Sequence, residues 1–103
     1  MSIHYLQQAV AIRERGEAAA LATVIQTKGS TPRKVGAKMI IYPNGDIEGT
    51  IGGGCGEAEV IREALNVIET KVPCHYVVDL TSGLLYEDGG ICGGTMEIFI
   101  ERL

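Results

Sequence analysis

Tryptophan is absent from this 103-residue chain, and its aromatic content is four tyrosines and one phenylalanine. Aliphatic side chains must therefore carry the core; at 46% hydrophobic residues they can, although a chain of this length builds a small core with a large surface. No apolar run approaches the roughly 20 residues that a membrane helix needs. The N-terminal stretch MSIHYLQQAVAIRERGE lacks the basic start and small-residue cleavage pattern of a secretory signal, so the expected location is the cytoplasm. A basic excess is also missing: the formal net charge is -4, which argues against general nucleic-acid binding and against an anionic membrane surface. No CxxC or HxxxH spacing occurs, and the only histidines are His4 and His75, so a structural zinc site is not expected. Three cysteines, Cys55, Cys74 and Cys92, cannot all pair within one chain, and in a reducing compartment they read as free thiols.

The pattern of apolar residues predicts an α+β fold: a single domain over 1–103, with a mixed or antiparallel sheet of about five strands and two helices in the order α-β-β-β-α-β-β. Ile3, Leu6, Val10 and Arg13 follow helical spacing, with Leu6, Ala9 and Val10 as the apolar face, Ser2 as N-cap and Gly16 as the stop. Ala18–Thr27 reads as a buried strand. AKMIIYP, then NGD, then IEGTI reads as a hairpin whose Asn44-Gly45 pair signals a type I′ turn, with Pro43 at the strand end. Ile61, Ala64, Leu65 and Ile68 keep the spacing of an amphipathic helix. Cys74–Leu80 and Thr95–Leu103 complete the strands, separated by the long loop TSGLLYEDGGICGG.

Three loops carry the residues of chemical interest. The first, KGSTPRKVGAK, holds Lys28, Arg33, Lys34 and Lys38, four of the nine basic residues, and no acid. With the hydroxyls of Ser30 and Thr31 and a planar guanidinium at Arg33, it suits a phosphate or similar oxyanion; a merely solvating charged loop is the alternative. The second, GTIGGGCGEAEV, sets Cys55 after Gly52, Gly53 and Gly54 at the start of a helix. Unsatisfied N–H groups and the dipole there favour a thiolate or a bound anion, and Glu57 in the first turn favours the dipole while opposing the thiolate. The spacing is neither a dinucleotide-binding fingerprint nor a P-loop, and tight packing is the competing explanation for its glycines. The third places Cys92 among Gly89, Gly90, Gly93 and Gly94, just ahead of a strand. Cys74, opening an apolar strand beside His75, reads as a small core residue.

Taken together, GSTPRKVGAKM, GTIGGGCGEAEV and CGGTMEIFIERL resemble the N-terminal domain of the XdhC/CoxI family, over nearly the whole chain. The resemblance implies a maturation factor for xanthine dehydrogenase and carbon monoxide dehydrogenase-type molybdenum enzymes, closer to a chaperone than to a catalyst. It would bind and protect the molybdenum cofactor (molybdopterin or its dinucleotide form), assist its sulfuration and pass it to the apoenzyme. The implied cofactor-binding residues are Cys55, Gly52, Gly53, Gly54, Ser30, Thr31, Arg33, Cys92 and Gly93, with Cys55 as the molybdenum-proximal thiolate. Implied partners are the apo-molybdoenzyme, a sulfur donor and a separate Rossmann-domain protein, and exposed glycine loops leave homodimerisation open. Two departures stand out: Gly56 replaces the bulkier apolar residue common after the cysteine, and the Rossmann-like C-terminal domain of longer members does not follow Leu103. Two other functions remain open, a cofactor-free module that contacts the apoenzyme and a sulfur transferase with a persulfide on Cys55. On the cofactor reading, Ser30–Gly36 and Gly52–Cys55 are expected to share one pocket, because an anion site and a thiol are each of little use alone to a phosphate-bearing metal cofactor.

Overall fold

A computed structural model of the chain describes residues 3–52, 56–80 and 93–103. The elements are α1 (Ile3–Glu14), β1 (Ala20–Lys28), β2 (Lys38–Ile41), β3 (Ile47–Gly49), α2 (Glu57–Thr70), β4 (Cys74–Asp79) and β5 (Thr95–Arg102). This is the predicted α+β order, and the sheet is antiparallel at every pairing, with strand order β3-β2-β1-β5-β4. The expected N-cap, Ser2, lies outside the described residues.

β1 sits at the centre because its sequence is apolar on both faces. Ala20, Ala22 and Val24 pack with Met39, Ile41, Met96, Ile98 and Ile100 beneath α2, whereas Leu21 joins Ile40, Ala19 and Ile12 on the other face, under α1. The helices thus cover opposite sides of one sheet. α2 lays Val60, Ala64 and Val67 into the larger cluster, each buried valine contributing roughly 1.5–3 kcal/mol. Ile61, Leu65 and Ile68 flank that stripe, half-buried, so the buried arc is rotated by about one residue from the one the spacing predicts.

α1 departs further from expectation. Its buried stripe is Tyr5, Ala9 and Ile12, while Leu6 and Val10 are 49% and 54% exposed. The helix has two apolar arcs, and the one that meets Leu21 and Ile40 is the arc whose residues stack along the sheet. The helix ends in a Schellman pattern, the Gly16 N–H bonding to the Arg13 carbonyl and the Glu17 N–H to the Ile12 carbonyl, as the glycine stop predicts.

The hairpin turn is also not of the expected type. Gly45 alone in the turn has positive φ (91°); the Gly45 N–H bonds to the Tyr42 carbonyl at 2.9 Å and the Tyr42 N–H to the Asp46 carbonyl at 2.8 Å. This is a three-residue loop, a type I turn over Pro43 and Asn44 followed by a bulge at Gly45. Proline explains it: a two-residue loop would ask Pro43 for an N–H it does not have, and moving the closing bond to Tyr42 removes that demand.

Candidate functional site at the loop end of the sheet

Strand direction decides where the three loops go. β1 and β4 end, and β2 and β5 begin, at the same edge of the sheet, and β3 also ends there. The connections β1–β2, β3–α2 and β4–β5 therefore all start from one end of the sheet, while the hairpin turn and the α2–β4 connection lie at the other. α2 starts at the first end as well, because Gly56 packs on Val78, one residue from the end of β4.

Two close approaches lock this end. The Gly93 N–H donates to the Ser30 carbonyl at 3.2 Å, and the Leu80 N–H donates to the Gly94 carbonyl at 2.8 Å. Gly93 and Gly94 thus bridge the tails of β1 and β4. A Cβ on Gly94 would fall 2.0 Å from the Lys28 carbonyl oxygen and 2.9 Å from the Ser30 nitrogen, so no larger residue fits without moving backbone. At Gly56 the φ of 77° and a Cβ position 2.3 Å from Val78 Cγ1 explain why glycine stands there: the helix start lies directly on the strand.

The basic loop is shaped from within. A β-bulge between Val24 and Gln26 shifts the β1–β5 register, which then runs on to Lys28, and the basic loop folds back on Val24, whose carbonyl accepts the Gly36 N–H at 2.8 Å and whose N–H donates to the Ala37 carbonyl at 2.9 Å. Bulges commonly re-aim strands next to functional sites. The Thr31 hydroxyl donates to the Arg33 carbonyl at 3.0 Å, tightening the turn. Arg33 and Lys34 are exposed, and among the described residues no carboxylate lies within 4.0 Å of either. With Pro32, Val35 and Ala37 they line a shallow recess. Lys38 turns to the opposite face from α2, its ammonium 3.0 Å from the Thr23 hydroxyl.

Of the sequence-predicted residues, Ser30 and Gly93 are brought into direct contact through their backbones, and Thr31 and Arg33 lie on the same loop. Gly52 is half-buried, with its N–H donated to the Thr50 hydroxyl at 3.1 Å. Gly53, Gly54, Cys55 and Cys92 lie outside the described residues. A larger recess, lined by Tyr42–Glu48 and Ile61, sits at the far end; Asp46 and Glu48 give it the wrong sign for an anionic ligand. Cys74 is half-buried against the core with Sγ 3.7 Å from Glu63 Oε1, and burial, then the Glu63 carboxylate, push its thiol pKa up. It is a structural thiol, as expected. Sequence reasoning overlooked Thr50, whose hydroxyl donates to Glu57 Oε2 at 2.7 Å. The available signal was a hydroxyl residue and a carboxylate bracketing the glycines.

The sequence pattern of the XdhC and CoxI family matches residues 12–79. The chain belongs to that family. As an XdhC/CoxI member it is 34% identical over 93 residues to the uncharacterized protein YqeB of Escherichia coli (90% of this chain, 17% of that protein). It is 34% identical over 95 residues to a probable xanthine dehydrogenase subunit of Bacillus subtilis (90% and 29%). To the molybdenum cofactor insertion chaperone PaoD of Escherichia coli it is 35% identical over 63 residues (61% and 20%). A crystal structure of a xanthine dehydrogenase from Bacillus halodurans superposes with a TM-score of 0.77 at 30% identity, over 93% of this chain and 29% of that one. The XdhC/CoxI chain thus spans less than a third of the length of each of these relatives. The family match includes the basic loop and the Gly52–Cys55 motif, and stops before Cys92 and Gly93. No described helix is long and apolar enough to cross a membrane.

Proposed function

We propose that this XdhC/CoxI chain is a maturation factor that carries the molybdenum cofactor to a xanthine dehydrogenase-type apoenzyme, and that residues 1–103 act as one cofactor-handling unit. The observation that carries the reading is the gathering of the basic loop, the Gly52 and Gly56 flanks of the cysteine loop, and Gly93 at one end of the sheet. Membership of a family that includes a molybdenum cofactor insertion chaperone supplies the cargo. In this reading Arg33 grips the phosphate of molybdopterin or its dinucleotide form, because a planar guanidinium can bond two oxygens at once and no described carboxylate competes for it. Cys55 supplies the soft thiolate that suits a molybdenum–sulfur centre, with Cys92 second. Glycine at 52–54 lets a planar ligand approach the backbone. The loops shield the centre while a sulfur donor acts, and the apoenzyme then receives it.

The test is the molybdenum content and visible spectrum of protein from a cofactor-sufficient host, with a thermal melt for each variant. Cys55→Ser is expected to fold normally and lose most of the bound molybdenum, since a hydroxyl barely ionises at neutral pH and is a poor ligand for a soft centre. Cys74→Ser should keep the metal and melt lower. Arg33→Lys should weaken retention, on the order of tenfold for a lost charged hydrogen bond, and more than Lys34→Arg does. Wild-type molybdenum in a Cys55→Ser protein that melts lower would make Cys55 a packing residue. The chain would then be read as the cofactor-free partner of the apoenzyme, a reading kept open by its likeness to a protein named as a probable dehydrogenase subunit.

A further inference from the structure

We propose that β4 is a dimerisation edge, joining a second copy of this chain by antiparallel strand pairing about a two-fold axis at Tyr76. The proposal is independent of the cofactor-carrier reading. β3 and β4 are the outer strands of the sheet, and they are protected unequally. β3 is three residues long, whereas β4 runs for six, Cys74–Asp79, in unbroken register with β5. Natural edges are guarded by lysine, proline, a bulge or sheer shortness, and the CHYVVD strand has none of these. Among the described residues no strand pairs with its outer side.

The inner bonds of β4 fix which of its backbone groups face outward. The Leu80 N–H donates to the Gly94 carbonyl, so in this register Leu80, Val78, Tyr76 and Cys74 turn their amides and carbonyls to β5. His75, Val77 and Asp79 turn theirs away from the sheet. Asp79 already holds a partner, which leaves His75 and Val77 to pair with another strand. A two-fold axis at Tyr76 sets His75 of each copy opposite Val77 of the other, and each of these two pairs exchanges two N–H to carbonyl bonds. An axis at Val77 or Val78 would draw on Asp79, and an axis at His75 would ask Pro73 for an N–H it lacks. The side chains agree with that choice. Tyr76 meets its own counterpart at a non-hydrogen-bonded site, where Cα atoms lie about 4.5 Å apart and aromatic pairs add stability. Its phenol is already held by the Glu59 carboxylate on α2. On the opposite face Val77, 49% exposed, meets His75, and no two like charges stand opposite each other. The contact is short, below the roughly 1,200 Å² at which stable complexes begin, so the dimer is of micromolar strength or weaker. Antiparallel pairing points the two loop ends in opposite directions and leaves both open.

The experiment is sedimentation velocity of the full chain from micromolar to millimolar concentration, where a monomer–dimer equilibrium is expected. Val77→Pro removes an outward N–H and no bond to β5, and Val77→Lys keeps every backbone bond while setting an ammonium against the facing His75. Each should weaken the dimer at least about tenfold, and the lysine variant should do so without a change in the melt of the dilute monomer. Val10→Lys, on the exposed arc of α1, should leave the dimer at wild-type strength. Oxidation reads the register. In a Cys74→Ala background, Tyr76→Cys should link two copies through the substituted positions, because the Cα separation expected there suits a disulfide, and Val77→Cys should not. Mass spectrometry of the linked peptide identifies the joined positions. Three outcomes would each overturn the proposal. A chain that is monomeric at every concentration has no such edge for its own copies. A dimer indifferent to both Val77 variants forms elsewhere on the surface. A disulfide from Val77→Cys and none from Tyr76→Cys places the axis at another residue. None of these readouts uses molybdenum, so failure of the carrier reading leaves the test intact.

Discussion

The tyrosines and the thiol around α2 and the hairpin show how single side chains shape stability without touching the loop end. The Cys74 thiol pKa is raised above its ordinary 9.0 by burial and then by Glu63. The Tyr76 and Tyr42 phenols rise above 10.0, the first chiefly through the hydrogen bond to Glu59, the second chiefly through burial, with Glu48 adding to it. In each case the folded chain holds its proton to a higher pH than the unfolded chain does. The stabilisation is therefore complete below the ordinary values and is lost as pH rises through the raised ones. Melting temperature should hold from these groups up to about pH 8.5 and decline beyond it, and Cys74→Ala should remove the earliest part of that decline. A Cys74→Ala protein with the same onset would show that the thiol does not take part. Gly94→Ala is the severe change at this scale: a Cβ 2.0 Å from a backbone oxygen leaves no rotamer to relax into, and a loss of about 3 kcal/mol or more is expected by chemical denaturation.

Helices and strands divide sharply in how far the sequence specifies them. Ile12→Ala should cost about 2–5 kcal/mol, because Ile12 is fully buried between Leu21 and Ile40, whereas Val10→Ala should change stability by less than about 0.5 kcal/mol at 54% exposure. Spacing alone ranks them the other way. Leu6, Ala9 and Val10 make as good an arc as Tyr5, Ala9 and Ile12, and only the sheet surface offered by Leu21 and Ile40 chooses between them. Strands are more legible, since β1 needs apolar residues on both faces and β5 alternates cleanly from Met96 to Ile100. The turn differs from expectation for a local reason, since Asn44-Gly45 suggests a two-residue loop and the missing N–H of Pro43 forbids it. At the loop end, glycine clustering makes Ser30, Arg33 and Gly93 visible as candidates. The Ser30–Gly93 contact and the Thr50–Glu57 bond depend on strand direction and loop path, which no local pattern encodes.

The basic loop and the hairpin turn lie at opposite ends of the sheet. The hairpin end collects Asp46 and Glu48, and the loop end collects Arg33 and Lys34. Substitutions such as Asn44→Ala or Asp46→Ala should therefore lower the melting temperature, the first by removing both Asn44–Asp46 bonds and the second by removing the side-chain one, and on the proposed carrier reading leave molybdenum retention at the wild-type level. Equal loss of retention from hairpin and Arg33 variants would mean that retention follows global stability and not the loop end.

The central position of β1 between β2 and β5 has a consequence for the order of events in synthesis. β1 pairs with β2 across a short connection, but its other side is completed only by β5, so that Ala20 waits for Arg102 and Lys28 for Thr95. Contacts so distant along the chain close slowly, since the intervening residues must be ordered before the pairing compensates. During translation the β2–β3 hairpin and α2 can form early, yet β1 exposes a row of unpaired backbone groups until the last strand leaves the ribosome. That interval is when the nascent chain is most prone to pair with a neighbour. A truncation ending at Leu80 should be recovered as aggregate or with a holdase, and refolding of the whole chain should be limited by a single slow phase that Ile98→Ala retards and Ile47→Ala does not.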